Sequence, residues 1–268
     1  PEWIPKVLPD NWSGGFFLLL AVFCLSSFLD NIAAAVIGGL VASKVYKKRV
    51  MVGYVAAIVF ASNAGGAGSV TGDTTTSMAW LAGYSPWDVL HAYVGAVPAV
   101  MFSAFFASRA QQAYQPIQKA DEDHEFKIDW TSLGIVLLIL VGAIVGNLTI
   151  GFPAIGVWGA ILVGSYWRTP DWHEAKEQAQ GAVFLLSLVL LASIMPIEYM
   201  QKYATASMGV TFGLGWLSSV FDNIPLTKLA LQQGGYDVGF LAYSVGVGGS
   251  MTWFGSSAGV ALTQKEEF

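Results

Sequence analysis

Residues 62–80, SNAGGAGSVTGDTTTSMAW, set four glycines (Gly65, Gly66, Gly68, Gly72), one carboxylate (Asp73) and the hydroxyls of Ser69, Thr71, Thr74, Thr75, Thr76 and Ser77 between two apolar runs. Of the 268 residues, 54% are hydrophobic and only 12% are charged, against about 25% charged in soluble domains. That balance predicts an integral membrane protein. The continuous apolar runs suit helical spans of ~20 residues rather than the alternating strands of a barrel. At membrane depth a glycine-rich loop with an acid must be enclosed by protein or line a wet cavity, because lipid offers its backbone groups no partner. Something else in the chain has to surround this break.

A second copy of the same construction supplies the surroundings. SFLDNIAAA (27–35) matches SVFDNIPLT (219–227), and NAGGAGSVTGDT (63–74) matches GVGGSMTWFGSS (246–257) without gaps. The stretch 14–43 is too long for one span and is interrupted by Asp30-Asn31. It divides into half-length helices, 14–29 and 32–43, with the pair at the tip of a re-entrant hairpin. Residues 207–233 repeat this around Asp222-Asn223, and each hairpin precedes a glycine-broken helix, the second over 238–262. Between them the pattern predicts a turn at 85–87, a span at 88–108, a polar loop at 109–129, spans at 133–150 and 154–167, a charged surface segment at 168–180 and a span at 181–200.

The expected fold class is therefore an all-α polytopic membrane protein with two repeats, each carrying a re-entrant hairpin and a broken transmembrane helix. Residues 1–108 form the first repeat, 109–130 a cytoplasmic loop and 131–268 the second repeat. The basic cluster KVYKKR (44–49) marks the cytoplasmic side. Counting crossings from it puts ten of the thirteen basic residues inside and makes the second hairpin enter from the opposite face. This is an inverted-topology repeat, and carriers built that way bind substrate and ions near the midplane on broken helices. The chain opens at Pro1 and closes on a polar TQKEEF tail, so it reads as a piece of a longer protein.

A broken helix exposes carbonyls at one half-helix end and amides at the other. The carbonyls, with Asp, Asn, Ser and Thr oxygens, make a hard shell for a hard cation; the amide ends suit an anion. Three acids lie at depth, Asp30, Asp73 and Asp222. Each costs ~2.5–3.5 kcal/mol on insertion scales, and such residues are usually functional. The alternative for each is a buried cap on a half-helix. No arginine lies at depth and Lys228 is the nearest base, which is a poor setting for citrate and a good one for Na+ or H+. A carboxylate that takes either a proton or a cation exchanges one for the other.

The further polar candidates are Asn63 and Ser69 before Asp73, and Ser250, Thr252, Ser256 and Ser257 in the matching loop. Ser256 stands where the first repeat has Asp73, so the halves differ in charge. Glu198 reads as interfacial, and His91, His124 and His173 read as surface residues, His91 being the one to test for pH sensing. Cys24 reads as a small packing residue and excludes an internal disulfide. The Trp residues read as an interfacial belt. Basic residues are too scattered for a nucleic-acid partner. No metal-ligand spacing or nucleophile–base pair suggests an enzyme or a resident cofactor; the partners expected are membrane lipid and a small cation.

At FLDNIAAA, SNAGGAGSVTGDTTT, FDNIP and GVGGS…GSSAG the chain resembles the NhaD-type sodium/proton antiporters. They belong to the ion transporter superfamily, which also holds citrate, dicarboxylate and arsenite carriers. The resemblance covers most of the chain and implies an elevator-like alternating-access fold, a homodimer and a place in the bacterial inner membrane. It carries over Asp30, Asn31, Asn63, Asp73, Thr75, Thr76, Asp222, Asn223 and Ser250 as ion-site residues, with Asp30, Asp73 and Asp222 as Na+ ligands. Dicarboxylate carriers have Ser-Asn-Thr where this chain has Asp30-Asn31-Ile32 and Asp222-Asn223-Ile224, which supports a cation. The family's helices before the first hairpin and its final helix have no counterpart here. The resulting expectation is exchange of Na+ or Li+ for H+. The alternatives are cation-coupled uptake of citrate or a C4-dicarboxylate, with Lys228 and half-helix amides on the carboxylates, or a non-transporting membrane subunit of a larger complex.

Overall fold

The computed structural model describes residues 8–118, 129–169 and 205–263, with a few single positions between 179 and 194. The expected span at 181–200 and the charged segment 168–180 fall largely outside the described residues, and Glu198, His124 and His173 fall wholly outside them. The described elements are helices: α1 (Trp12–Ser26), α2 (Asn31–Val45), α3 (Val52–Gly66), α4 (Thr74–Leu81), α5 (Pro86–Leu90), α6 (Tyr93–Tyr114), α7 (Trp130–Ile150), α8 (Pro153–Gly164), α9 (Met208–Ser218), α10 (Asn223–Gln233), α11 (Val238–Gly249) and α12 (Ser257–Thr263). Pro86–Tyr114 and Trp130–Ile150 are long and apolar enough to cross a membrane. The chain divides into two units, Pro1–Glu122 with Leu186–Phe268, and Asp123–Leu185.

In the smaller unit α7 and α8 lie against each other through glycine. A methyl group at Gly142 would run into the Gly156 carbonyl, and one at Gly156 into the Gly142 carbonyl. Small residues let two helices approach this closely in an apolar medium, where packing rather than water drives association. Gly151, left-handed at φ 69°, ends α7, a conformation glycine adopts without a Cβ penalty. Asp129 caps the start of α7, accepting from the Ser132 N–H at 3.0 Å and pairing with Arg168.

In the larger unit one local design occurs twice. α1 ends at Ser26, and Asp30 then caps α2 by accepting from the Ile32 N–H at 3.1 Å. α9 ends at Ser218, and Asp222 caps α10 from Ile224 at 2.9 Å. α3 and α11 each stop at a glycine, Gly66 and Gly249, and helix resumes at Thr74 and Ser257. α1 packs on α3 as α9 packs on α11. The crossings use matched positions. A methyl at Gly65 would strike the Phe23 carbonyl, and one at Gly248 the Gly215 carbonyl. A methyl at Gly72 would strike the Ser26 carbonyl, and one at Gly255 would come within 3.0 Å of that of Ser218. Packing also crosses between the copies: α2 lies against α12, α10 against α4, and α3 against α11.

Element boundaries differ from the expected ones where polar residues serve the fold. The expected span at 88–108 is two helices. Ser85 and Asp88 form a capping box with Pro86 in the first turn of α5, and α6 then runs on to Tyr114, through six positions expected as polar loop. Gln111 there is fully buried; its amide donates to the Arg49 carbonyl (3.1 Å) and its carbonyl accepts from the Met51 N–H (2.7 Å). Arg109 lies over the rings of Phe105 and Trp12, at 5.3 and 6.0 Å. The break in the first copy starts at Ala67, because α3 continues through Gly65 and Gly66. Cys24 is exposed on α1 and is not a packing residue. Leu18, Leu19 and Val22 instead fill the core with Ala34, Ala35, Tyr46, Tyr54 and Ile58.

Candidate functional site

Asp73 is the last residue of the first break and caps α4. Its Oδ1 accepts from the backbone N–H and the hydroxyl of Thr75, at 2.9 and 3.0 Å. Its Oδ2 accepts from the Asn31 amide at 2.9 Å. Asn31 opens α2, and its Nδ2 also donates to Asn63 Oδ1 at 2.8 Å. Asn63, in the last turn of α3, turns its own Nδ2 to the other copy, donating to the hydroxyls of Ser250 and Ser256 at 2.9 Å each. One line of side chains thus joins the two copies: Asp73, Asn31, Asn63, then Ser250 and Ser256.

The line is largely buried and contains one carboxyl group. Asn63 and Ser256 are fully buried, and Asp73 and Asn31 retain only 3% and 4% of their exposure. A buried carboxylate is costly unless paired or well hydrogen-bonded. Asp73 has three neutral donors, and no Lys or Arg among the described residues pairs with it. The break itself is fixed by Thr76, whose hydroxyl donates to the carbonyls of Ser69 (2.6 Å) and Asp73 (2.8 Å), and by Ser77, which donates to Val70 (2.8 Å).

The other expected residues are placed differently. Asp30 and Asp222 are half-buried helix caps within Coulombic reach of Asp73, and neither joins its hydrogen-bonded line. Asp222 Oδ2 also receives a long bond, 3.5 Å, from the Ser257 hydroxyl. Thr252 donates to the Ser219 carbonyl. Lys228 is half-buried on α10, and His91 is exposed at the end of α5. Asn223, the match of Asn31, is buried, and its amide nitrogen has no partner among the described residues. The reason lies in the sequence: Asn31 donates to Asn63 and Asp73, and the matched positions hold Gly246, with no side chain, and Ser256.

Three supporting residues escaped the sequence reading. Ser26 donates to the Ser62 carbonyl (2.6 Å) and Ser218 to the Val245 carbonyl (2.8 Å), again at matched positions. Each stands one residue before the repeated motif, so extending the match by one position finds them. Tyr93, on α6, donates to Ser27 Oγ at 2.7 Å and to the Gly65 carbonyl at 2.9 Å. No motif marks it. Among the described residues no cluster of three or more His, Cys, Asp or Glu could hold a metal ion. The donors at Asp73 are one carboxylate with amides and hydroxyls, a set for a weakly held hard cation rather than a transition metal.

A family model described as citrate transporter, CitMHS, matches residues 10–248. The chain is 28% identical to sodium/proton antiporter 1 of Arabidopsis thaliana, with 98% of this chain and 51% of that protein aligned. It is 25% identical to sodium/proton antiporter 2 of the same plant, over 98% of this chain and 70% of that protein. It is 27% identical to the Na(+)/H(+) antiporter NhaD of Halomonas elongata, over 91% of this chain and 59% of that protein. The chain thus spans 51% to 70% of the length of these relatives. The family match runs through Asp30-Asn31, Asn63, Asp73 and Asp222-Asn223, and the chain belongs to the CitMHS citrate-transporter family of the ion transporter superfamily, integral membrane secondary transporters and not enzymes.

Proposed function

We propose that this chain is the ion-handling part of a carrier that exchanges Na+ or Li+ for H+ by alternating access, with Asp73 holding the proton or the cation in turn. The observation that carries the reading is the buried Asp73 carboxylate, bound by Asn31 and Thr75 and, among the described residues, paired with no Lys or Arg. Na+ arriving at a protonated Asp73 takes the carboxylate oxygens and releases the proton; reprotonation releases Na+. Asn63, Ser250, Ser256 and the carbonyls at the broken ends of α3 and α11 offer further oxygens, and Asp30 and Asp222 add negative potential from either flank. The chain's own carboxylate occupies the Asn31 amide that an anionic substrate would otherwise use. The names of the three relatives agree with this reading.

The matching contacts at 65/248, 72/255, 26/218 and 62/245 support two copies of one unit. In this reading they are inverted repeats, 1–108 and 131–268 about a cytoplasmic loop at 109–130, with α1–α2 and α9–α10 as re-entrant hairpins from opposite faces. A homodimer in a bacterial inner membrane belongs to the same proposal. One observation favours a second reading, cation-coupled uptake of citrate or a dicarboxylate: the unpartnered Asn223 amide is a donor for a carboxylate oxygen. Proteoliposomes of the full-length protein with an internal pH dye separate the two. A Na+ gradient should drive proton flux, and Asp73→Asn should abolish it. Labelled-citrate uptake without Na+-driven proton flux would overturn the first reading; neither activity would point to a non-transporting subunit.

A further inference from the structure

The turn that ends α2 has a backbone that its sequence does not favour. Lys47 and Lys48 are both left-handed, at φ 49° and 61°. A helix ending of this kind normally has glycine at the first of these positions, since a Cβ is disfavoured there. The turn is nevertheless firmly held. The Lys48 N–H reaches back to the Ser43 carbonyl at 2.7 Å, and that of Arg49 to Tyr46 at 3.0 Å. Gln118 N–H bonds the Val45 carbonyl, and the buried Gln111 amide bonds that of Arg49. The carbonyls of Ala42, Ser43, Lys44, Val45 and Tyr46 are all taken by N–H groups. The negative end of the helix is thereby covered.

Beside this turn lies a hollow of about 340 Å³, open to the surface and lined by Leu40, Ser43, Lys44, Lys47 and Lys48. Lys47 and Lys48 are exposed and make no ion pair among the described residues. Leu40 is 42% exposed, and Ser43, which also lines the hollow, is 4% exposed. Lysines often follow a helix for the sake of its dipole or of membrane orientation. Neither purpose requires two of them in a backbone region where glycine fits better, fixed by a buried glutamine beside a surface hollow.

We propose that this turn is a binding site for a phosphate group, carried by an anionic lipid headgroup or free in solution. Lys47 and Lys48 supply the charge, Ser43 a neutral donor and Leu40 an apolar rim for a glycerol or acyl segment. Basic side chains beside a bilayer each strengthen binding to anionic lipid by about fivefold.

The test uses the full-length protein in nanodiscs of phosphatidylcholine with phosphatidylglycerol, with lipid retention read by native mass spectrometry. Glycine suits both positions, so Lys47→Gly with Lys48→Gly should fold at least as well as the unaltered protein. The double variant should lose phosphatidylglycerol retention by about 25-fold and phosphatidylcholine retention not at all. Inorganic phosphate, titrated against detergent-solubilised protein, distinguishes the sources. Phosphate binding that depends on both lysines, without selective lipid retention, assigns the site to the free ion; retention without phosphate binding assigns it to the lipid. If neither lipid nor phosphate binding changes in the double variant, the proposal is wrong.

Discussion

Asn31 and Asn223 stand at the same place in two copies of one motif, each opening a helix after an aspartate cap. Among the described residues Asn31 Nδ2 makes two bonds and Asn223 Nδ2 makes none. Removing a donor and leaving buried acceptors unpaired costs about 1–3 kcal/mol. Asn31→Ala should cost that much, since it strips Asp73 Oδ2 and Asn63 Oδ1 of their donor, and Asn223→Ala should cost clearly less. Thermal unfolding of the two variants side by side checks this; equal losses would mean that Asn223 has a partner of similar strength. The sequence marked both residues, along with Asp73 and Asn63, because polar groups stand out in an oily chain and the motif is repeated. It could not tell the bonded asparagine from the unbonded one. That depends on Gly246 and Ser256, far off in the chain, standing where the first copy has Asn63 and Asp73. Nor could it decide between ligand and cap for Asp30 and Asp222, since a carboxylate before a half-helix serves either role and the geometry here is that of a cap.

At the level of elements, broken helices are laid across helix pairs by glycines that face backbone. In an exposed helix, replacing glycine by alanine gains about 1 kcal/mol of propensity. Where the new methyl meets a carbonyl, overpacking of about 1–3 kcal/mol outweighs that gain. Gly65→Ala, against the Phe23 carbonyl, and Gly248→Ala, against that of Gly215, should therefore both destabilise the protein, and by similar amounts. Gly213→Ala, on α9 with nothing within 4 Å, should be neutral or stabilising. The midpoints of thermal unfolding give the comparison, and a tolerant Gly65→Ala would show that the crossing of α1 and α3 is loose. These glycines and the two breaks were legible because a gap-free repeat keeps its backbone-critical residues. The far end of α6 was not. Arg109, Gln111 and Gln112 look like loop residues by composition, yet they are spent on a ring contact, on the Arg49–Met51 turn and on the Asp10 carbonyl. Hydropathy does not distinguish a polar residue facing water from one facing a backbone.

For the whole molecule, the outstanding property is a charge placed on one side of a backbone that is nearly the same on both. Ser256 holds the place of Asp73, fully buried, with its hydroxyl accepting from the Asn63 amide at 2.9 Å and from the Gly259 N–H at 3.3 Å. A carboxylate at that position would keep both donors, and the match to the Asn31–Asp73 pair makes the Asn223 amide the expected third. Three donors are what Asp73 itself has. Asp73→Ser combined with Ser256→Asp should therefore fold, because a carboxylate at either position meets hydrogen-bond donors. Asp73→Ser alone leaves the junction of the two copies without an acid and should lose Na+-driven proton flux. If exchange needs one acid at this junction, moving it should restore part of the flux, measured with the pH dye in proteoliposomes. Recovery should be incomplete, because the second copy has Ala258 where Thr75 adds its hydroxyl, and Gly246 where Asn63 bridges. A double variant as silent as Asp73→Ser, though folded and inserted, would show that the cycle depends on the side the acid occupies, and that the asymmetry in charge is itself part of how the carrier works.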